Sequence, residues 1–278
     1  MAKAKGNGGS KTATIGKRVA RSNDPLMVRS VQKAFRVLEA FVSNSSVMSL
    51  GELARELDVD KSTAQRFAHT LEKLGYLKKD EATRRYELGI KVLNLSFGFL
   101  HANALLDRAM PYLLHLSRET EETINMTVLD GSEIVFVSRF MSKHLFNTDV
   151  TIGTRMPVYC TAPGLAMLSK LPRSEAIGLL EACDRQQITE HTTWKMDALV
   201  HKLDASAARG YATAFEEFYH DDLSISAPIF NDGRPVAAAT ISVSRSRYTP
   251  EAAERTFAPL VVAAARSISH SSHPNLLR

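Results

Sequence analysis

The spacing of apolar residues changes along the chain and divides it into two parts. Between Ser30 and Gly75 these residues recur every three or four positions, which predicts short amphipathic helices. From Ile124 onward several segments alternate apolar and polar residues, which predicts strands. We therefore predict an α+β protein with a helical N-terminal domain and a C-terminal antiparallel sheet flanked by helices.

Three helices are predicted at the N-terminal side. The second starts at Ser49, which forms a capping box with Glu52, and the third runs from an N-cap at Asp60 to a C′ glycine at Gly75. The residues expected to face the core are Val31, Ala34, Phe35, Leu38 and Val42 in the first helix, Leu53, Ala54 and Leu57 in the second, and Ala64, Phe67, Ala68, Leu71 and Leu74 in the third.

The third helix has a polar face opposite its apolar stripe, and a basic hairpin follows it. Ser62, Arg66 and His69 are spaced i, i+4, i+7 and therefore share that face. Three helices followed by a basic hairpin are typical of a winged helix-turn-helix domain, predicted here over residues 27–88. The competing interpretation is a small helical subdomain with a solvated face. The candidate DNA contacts are Lys61, Ser62, Thr63, Gln65, Arg66, His69, Lys78, Lys79, Arg84 and Arg85.

These residues differ in the contact for which each is suited. Arg66 is the best candidate for a bidentate contact to guanine in the major groove. Lys61, Ser62 and Thr63 lie at the helix N-terminus, where free N–H groups favour phosphate. The basic residues of the wing suit phosphate or minor-groove contact.

A linker follows at residues 89–106. Its apolar residues occupy more than one side of the predicted helix, so it either packs against a partner chain or is a plain core helix. Pro111 predicts a break between two helices. The remaining segment, 107–271, is predicted to be a ligand-binding domain, with a tail at 272–278.

Two places in this domain suggest a binding site. If "NDG" forms a three-residue hairpin loop, Ser224 lies opposite Thr240, Ser242 lies diagonal to Ser224, and one sheet face is lined with hydroxyls. That face is either exposed to solvent or lines a polar pocket, whereas a two-residue loop would separate the hydroxyls. In "CTAPGLAM", Thr161 can cap a helix whose first N–H groups, beginning at Ala162, could bind an anion. An ordinary capped helix is the alternative.

Composition narrows the possible functions. The net charge of +5 weakly favours anionic partners. Residues 1–26 are basic and poor in apolar residues, and they are predicted to be a disordered arm or a plain solvated tail. Cys160 and Cys183 give neither a disulfide framework nor a zinc spacing, and no cofactor or metal is expected. No long apolar run or signal-peptide core is present, so we expect a soluble, cytoplasmic protein.

Catalytic signatures are missing from the sequence. It contains no G-x-S-x-G, H-E-x-x-H or P-loop motif, Cys160 is interpreted as a buried thiol, and the acidic segment 216–222 as a solvated turn. We therefore expect a protein that is not an enzyme. The alternative is a metabolite-binding module or enzyme in which the helical domain only dimerises.

From Val28 onward the chain resembles the IclR family of bacterial transcription regulators. The matching segments are "RSVQKAFRVLEAF", "SLGELARELDVDKSTAQRFAHTLEKLGYLKKD", "RRYELGIKVLNL", "IGTRMPVYCTAPGLA", "RGYATAFEE" and "APIFNDGRPVAAATISVS". The resemblance implies a homodimer or dimer of dimers, operator DNA as partner, and a GAF-like domain that binds a small metabolite, often a carboxylic acid of a catabolic operon. Such a protein is a repressor or an activator.

The resemblance also assigns an effector site. It falls on Thr161, Ala162, Ser224, Thr240 and Ser242. The sequence departs from the family pattern at three positions: Asp221 and Ser224 stand where a Gly-x-x-Cys is common, and Leu165 stands where a basic residue is common. These departures leave the identity of the effector open.

Overall fold

The computed structural model describes residues 24–43, 46–143 and 150–270, so most of the predicted arm and the whole predicted tail lie outside the described residues. The chain divides into two compact units, one ending at Ala102 and the other beginning at Asn103. This division falls inside the segment predicted to be the linker, 89–106.

The N-terminal unit consists of helices and a small sheet. Its helices are α1 (Arg29–Ser43), α2 (Leu50–Leu57), α3 (Lys61–Lys73) and α4 (Val92–His101), and its strands are β1 (Val47–Met48), β2 (Leu77–Lys79) and β3 (Tyr86–Leu88). The strands form an antiparallel sheet in the order β1-β3-β2, in which Lys78 pairs with Glu87. The helices and the β2–β3 hairpin confirm the winged helix-turn-helix prediction, whereas β1 is too short to leave a periodic signal in the sequence.

The predicted core face of α1 is partly wrong, since Leu38 packs against the core and Ala34 is half-buried. Val31, Phe35 and Val42 are each more than half exposed, whereas Val37 and Phe41 are buried. The helix has two apolar stripes, the predicted one and one that contains Val37 and Phe41. Both have helical spacing, so the sequence alone does not show which of them faces the core. The buried stripe packs against Leu53, Leu57, Ala68, Leu71, Leu77 and Tyr86.

The caps of α2 and α3 are as predicted. Ser49 Oγ accepts the N–H of Glu52 at 3.3 Å, and Glu52 Oε2 accepts the N–H of Ser49 at 2.7 Å. Asp60 accepts the N–H of Thr63 at 2.8 Å, and Gly75, with φ of 82°, follows the last helical residues of α3. One predicted core residue of α3, Leu74, is 51% exposed, because it occupies the C-cap position beyond the last helical turn.

The break in the linker lies earlier than predicted. Asn103 Oδ1 accepts the N–H groups of Leu105 and Leu106, both at 3.1 Å, and thereby starts a new helix directly after α4. Pro111 lies inside that helix without ending it. The strong Asn103 cap therefore sets the break, and Pro111 causes none.

The C-terminal unit is a six-stranded antiparallel sheet in the order β6-β5-β4-β9-β8-β7. Its strands are β4 (Thr123–Asp130), β5 (Glu133–Phe140), β6 (Arg155–Pro157), β7 (Ala212–Phe215), β8 (Asp222–Asn231) and β9 (Arg234–Ser244), and its helices are α5 (Ala104–Thr120), α6 (Ala162–Leu168), α7 (Arg173–Glu181), α8 (Met196–Arg209) and α9 (Pro250–His270). The hairpin predicted around "NDG" is present as β8–β9, and β4 and β5 form a second hairpin. Strand β6 is short, since a 3₁₀ turn at Val158–Cys160 ends it.

The β8–β9 register differs from the predicted one. Asn231 pairs with Arg234 across a two-residue loop, and a bulge between Ile229 and Phe230 then shifts the register by one residue. Ser224 therefore pairs with Ser242, and Ser226 with Thr240. Because the bulge cancels the effect of the shorter loop, all the hydroxyls still lie on one face.

Helices cover both faces of this sheet. The hydroxyl face lies under α6, and the opposite face packs against α5 and α9. Residues of the predicted apolar face, such as Ile225 and Ile241, are fully buried, and so are Ser226 and Thr240 on the hydroxyl face. Of the two alternatives for the hydroxyl face, exposure to solvent or a polar pocket, the structure therefore has the pocket.

Candidate nucleic-acid interface and effector pocket

The polar face of α3 is open to solvent. Lys61, Ser62, Gln65, Arg66 and His69 are all exposed. The same helix buries Ala64, Ala68 and Leu71 on its other side. Exposed polar groups along one side of a capped helix are free to reach base edges.

Two of the predicted DNA contacts bind within the domain instead. Thr63 Oγ1 donates to Asp60 Oδ2 at 2.6 Å, so this hydroxyl strengthens the N-cap. Arg85 donates from Nη2 to Glu52 Oε2 at 2.9 Å and to the carbonyl of Val47 at 3.1 Å. The Arg85 guanidinium therefore ties the wing to α2 and β1.

The other basic residues of the wing remain at the surface. Lys78 pairs with Glu87 at 3.1 Å, and Arg84 pairs with Glu81 at 3.1 Å across a turn in which Arg84 has φ of 58°. Both pairs are largely exposed, and exposed ion pairs contribute little stability. A DNA phosphate could therefore replace either carboxylate at small cost.

A pocket lies in the C-terminal unit between the hydroxyl face of the sheet and the N-terminal end of α6. Its cavity volume is about 50 Å³, within a wider space of about 570 Å³ that includes the open solvent at its mouth. Its apolar wall consists of Ile134, Phe136, Val150, Met156, Cys160, Pro163, Ala214 and Phe218. Its polar lining consists of Thr123, Asn125, Arg139, Thr161, Glu217, Tyr219, Asp222, Ser224, Thr240 and Ser242, with Ala162 beside them. All five predicted effector contacts thus line one pocket.

Thr161, Ala162 and Pro163 form the part of the wall at the start of α6. Thr161 occupies the N-cap position, but its hydroxyl donates to the carbonyl of Pro157 at 2.9 Å and makes no cap hydrogen bond. The expected side-chain cap is therefore wrong, because the 3₁₀ turn places a carbonyl closer to this hydroxyl. Gly164 lets the turn approach α6: a Cβ there would lie 2.4 Å from the carbonyl oxygen of Val158.

The floor of the pocket is a chain of hydrogen bonds that crosses four strands. Arg139 Nη1 donates to Asn125 Oδ1 at 3.1 Å, and Asn125 Nδ2 donates to Ser242 Oγ at 3.5 Å. Ser242 and Ser224 hydroxyls lie 2.8 Å apart, and Ser224 Oγ donates to Asp222 Oδ2 at 2.8 Å. A cation therefore lies at one end of the chain and a carboxylate at the other.

Burial changes the charge balance at both ends. It raises the pKa of Asp222 to about 7, against the opposing effects of the Ser224 hydrogen bond and the Arg139 charge. It also lowers the pKa of Arg139, which the Asp222 carboxylate counteracts. Arg139 is the basic residue of the described lining, and the sequence reasoning missed it because nothing local distinguishes it from a surface arginine on a strand.

The acidic segment 216–222 is not the solvated turn that was expected. Glu217 is buried against the pocket and binds Lys202 and the N–H of Thr193. Asp221 accepts hydrogen bonds from Ser244 Oγ at 2.7 Å and from the N–H of Ser246 at 2.9 Å, outside the pocket lining. The charge that departs from the family pattern at Asp221 is thus held by Ser244, the last residue of β9, and by Ser246 just beyond it, and the carboxylate in the pocket is the neighbouring Asp222.

Other chemistries find little support in the described part of the chain. Cys160 is buried, and burial raises the pKa of its thiol well above the ordinary value, so it is a poor nucleophile. Among the described residues no cluster of His, Cys, Asp or Glu could hold a metal ion. In the same ranges no helix is both long and apolar enough to span a membrane.

Comparisons with known proteins cover both units. Residues 30–81 match the family model described as the IclR helix-turn-helix domain, and residues 97–270 match that of the C-terminal domain of the bacterial transcriptional regulator IclR. The Pca regulon regulatory protein of Pseudomonas putida is 29% identical over 93% of this chain and 89% of its own. The regulator KdgR of Escherichia coli is 31% identical over 88% of this chain and 93% of its own. The crystal structure of a putative transcriptional regulator from Rhodococcus is 32% identical, covers 87% of this chain and 97% of its own, and superposes with a TM-score of 0.76.

Proposed function

We propose, for a chain that belongs to the IclR family of bacterial transcriptional regulators, that α3 reads operator DNA under the control of a small organic acid. Membership confirms the resemblance and the α+β fold class, and the relatives named above are transcriptional regulators rather than enzymes. The contacts to DNA, the nature of the effector and the oligomeric state are the proposal. It places the protein in the cytoplasm, where operator DNA is accessible.

The exposed face of α3 carries the DNA-binding part of the proposal. Arg66 lies in the middle of that face, where a side chain of its length reaches the edges of two bases. Around it lie Lys61, Ser62, Gln65 and His69. The DNA phosphates are contacted by Lys78, Lys79 and Arg84 of the wing. We leave Thr63 and Arg85 out of the contact set, since their polar groups bind Asp60 and Glu52.

Selection from a randomised pool of duplex DNA tests this assignment. The wild type is expected to enrich one DNA sequence. In Arg66→Ala, the difference in binding free energy between that sequence and random DNA should shrink by roughly 1–3 kcal/mol per site. Arg255→Ala removes the same charge from an exposed position of α9 and should change nothing. Unchanged preference in Arg66→Ala would show that α3 is misassigned as the recognition helix.

The lining of the pocket carries the effector part. Arg139 and Asn125 present donors to a carboxylate, and arginine suits a carboxylate because it can donate two parallel hydrogen bonds. The apolar wall on the other side matches the body of a small acid. We expect Arg139→Gln to weaken the binding of any stabilising acid at least tenfold in calorimetry, as loss of a charged hydrogen bond implies. Undiminished affinity would exclude Arg139 as the anion site.

The α4 helix supports a homodimer. Leu93, Leu95, Phe97 and Phe99 are each more than half exposed, and no residue of α4 is buried. A helix that is apolar on several sides is stable in water when another surface covers it. We propose that a second copy covers α4, as a dimer or a dimer of dimers. Sedimentation of a Phe97→Glu, Phe99→Glu variant should shift toward monomer, and an unchanged sedimentation coefficient would contradict this role.

A further inference from the structure

Four hydroxyl groups of the pocket, those of Thr161, Ser224, Thr240 and Ser242, have their protons directed at the protein. A serine hydroxyl has one proton and two lone pairs. Ser224 gives its proton to Asp222 Oδ2 at 2.8 Å, so the 2.8 Å contact between Ser224 and Ser242 must be donated by Ser242. Both protons therefore point along the chain toward Asp222.

The same accounting applies to the remaining hydroxyls that were predicted to bind the effector. Ser226 gives its proton to the carbonyl of Ala239 at 2.9 Å, so its 2.8 Å contact with Thr240 must be donated by Thr240. Thr161 gives its proton to the carbonyl of Pro157. These lining hydroxyls consequently offer lone pairs to a ligand, and none of their protons.

The amide of Asn125 has a fixed orientation as well. Its Oδ1 accepts from Arg139 Nη1, so its Nδ2 is a donor that points toward Ser242. Donors are thus concentrated at Arg139 and Asn125, and acceptors at Asp222 and along the row of hydroxyls. Thr123 stands outside this row, because its hydroxyl oxygen accepts the N–H of Ser142 at 3.1 Å.

We propose that the effector is a small organic acid that also carries a hydrogen-bond donor, a hydroxyl or an amine, and that Asp222 is the residue that selects for this donor. The carboxylate binds Arg139 and Asn125, and the donor binds Asp222 and the lone pairs of the hydroxyl row. Ser224 already donates one hydrogen bond to Asp222, and an acid without a donor would displace water from the remaining acceptor sites of this carboxylate without replacing its hydrogen bonds, which disfavours binding. A dicarboxylate would bring a second negative charge beside Asp222. This inference rests on the proposed effector function.

Matched pairs of acids test it on the full-length protein by calorimetry. We would compare 4-hydroxybenzoate and 4-aminobenzoate with 4-methoxybenzoate, and 3-hydroxybutyrate with 3-methoxybutyrate. In each set the acids differ in whether the polar substituent can donate a proton. In the set that binds, the acid with a donor is expected to bind at least tenfold tighter than its ether. The hydroxyl and amine members together show which donor the pocket takes.

Three variants locate the selection. Calorimetry is done at about pH 8.5, above the Asp222 pKa of about 7, where the carboxylate only accepts hydrogen bonds. Asp222→Asn replaces this acceptor by a group that can donate, so the preference for the donor-bearing acid should fall to less than threefold. Asp221→Asn changes the adjacent carboxylate outside the pocket and should keep the preference. Arg139→Gln should weaken both members of a pair equally, because it acts at the carboxylate end.

Each outcome decides a different point. Equal binding of hydroxy acid and ether overturns the inference while the proposed effector function stands. A preference that survives in Asp222→Asn removes Asp222 as the selecting residue. Binding of none of these acids overturns the proposed acid effector, and the inference with it.

Discussion

Gly164 shows how closely the pocket wall depends on single backbone atoms. A Cβ at this position would lie 2.4 Å from the carbonyl oxygen and 2.5 Å from the Cα of Val158, and 2.8 Å from Thr161 Oγ1. Neither of these two Val158 backbone atoms can move away from such a Cβ unless the whole 3₁₀ turn moves. Glycine therefore allows α6 to approach the turn and so places Thr161 and Ala162 in the pocket.

We expect Gly164→Ala to lower the free energy of unfolding of the C-terminal unit by about 1–3 kcal/mol, the usual cost of overpacking. Urea unfolding followed by the fluorescence of Trp194, the single tryptophan of the chain, measures it. Gly178→Ala is the matched control, because a Cβ there meets nothing within 4 Å and alanine favours the helix by about 0.5–1 kcal/mol. Equal stabilities of the two variants would contradict the close approach.

Asp222 makes the stability of the same unit depend on pH. Its pKa rises from 3.8 in the unfolded chain to about 7 in the fold, so the folded state keeps a proton that the unfolded state has lost between these values. The contribution of Asp222 is therefore fully present below about pH 4 and is lost as the pH rises through 7. At 1.36 kcal/mol per unit the loss is at most about 4 kcal/mol.

Asp222→Asn does not titrate and should avoid this loss. We expect the variant to gain stability relative to the wild type as the pH rises from 4 to 8, measured as the urea midpoint at several pH values. Asp221→Asn should show no such gain over the same range if burial of Asp222 is the cause. A constant difference between Asp222→Asn and the wild type would contradict the raised pKa.

At the scale of elements, the wing has one structural arginine and several surface charges. Arg85 binds Glu52 and the carbonyl of Val47, whereas Lys78 has a side chain that is 73% exposed and pairs across the hairpin with Glu87. The Glu52 carboxylate also completes the capping box of α2. Arg85 thus acts on folding and Lys78 is available to DNA.

Lys78→Ala is expected to weaken binding to all DNA sequences alike and to reduce the slope of log K against log salt by about 0.9. The slope can be obtained from fluorescence anisotropy at several salt concentrations. Arg85→Ala should instead reduce the thermal stability of the N-terminal unit by about 1 kcal/mol, as loss of a hydrogen-bonded ion pair implies. A sequence-selective loss in Lys78→Ala would show that this residue contacts bases.

The elements also show what the sequence could predict. Caps at Ser49, Asp60 and Gly75 were predictable because each depends on residues within one helical turn. The buried stripe of α1 was not, because two stripes share the helical period and tertiary contacts choose between them. The β8–β9 pairing depended on a bulge at Ile229 that has no signal in the sequence.

The pocket was also predictable only in part. Its five predicted residues came from the resemblance and from the hydroxyl pattern, and all of them line it. Arg139, Asn125 and Asp222 were missed, because their role depends on three strands meeting at one place and on burial. The direction of the hydroxyl protons likewise requires the positions of Asp222 and of the Ala239 carbonyl.

The whole molecule combines two units of different chemistry. One has an exposed polar helix face that we propose contacts DNA, and the other has a pocket with a cation and a carboxylate at the ends of its floor. An acid in the pocket can change DNA binding only to the extent that it binds the DNA-competent and DNA-incompetent arrangements with different affinity. The expected coupling is about 1–3 kcal/mol, which corresponds to a change in DNA affinity of roughly 5- to 150-fold.

Control of DNA binding by the pocket is measured as the affinity of the full-length protein for its selected DNA site, by anisotropy over a titration of an acid that binds in calorimetry. For the wild type we expect at least a fivefold change in the dissociation constant for DNA once the acid saturates. For Arg139→Gln the same change should need at least tenfold more acid. An equal dissociation constant for the wild type with and without the bound acid would show that the pocket does not control DNA binding.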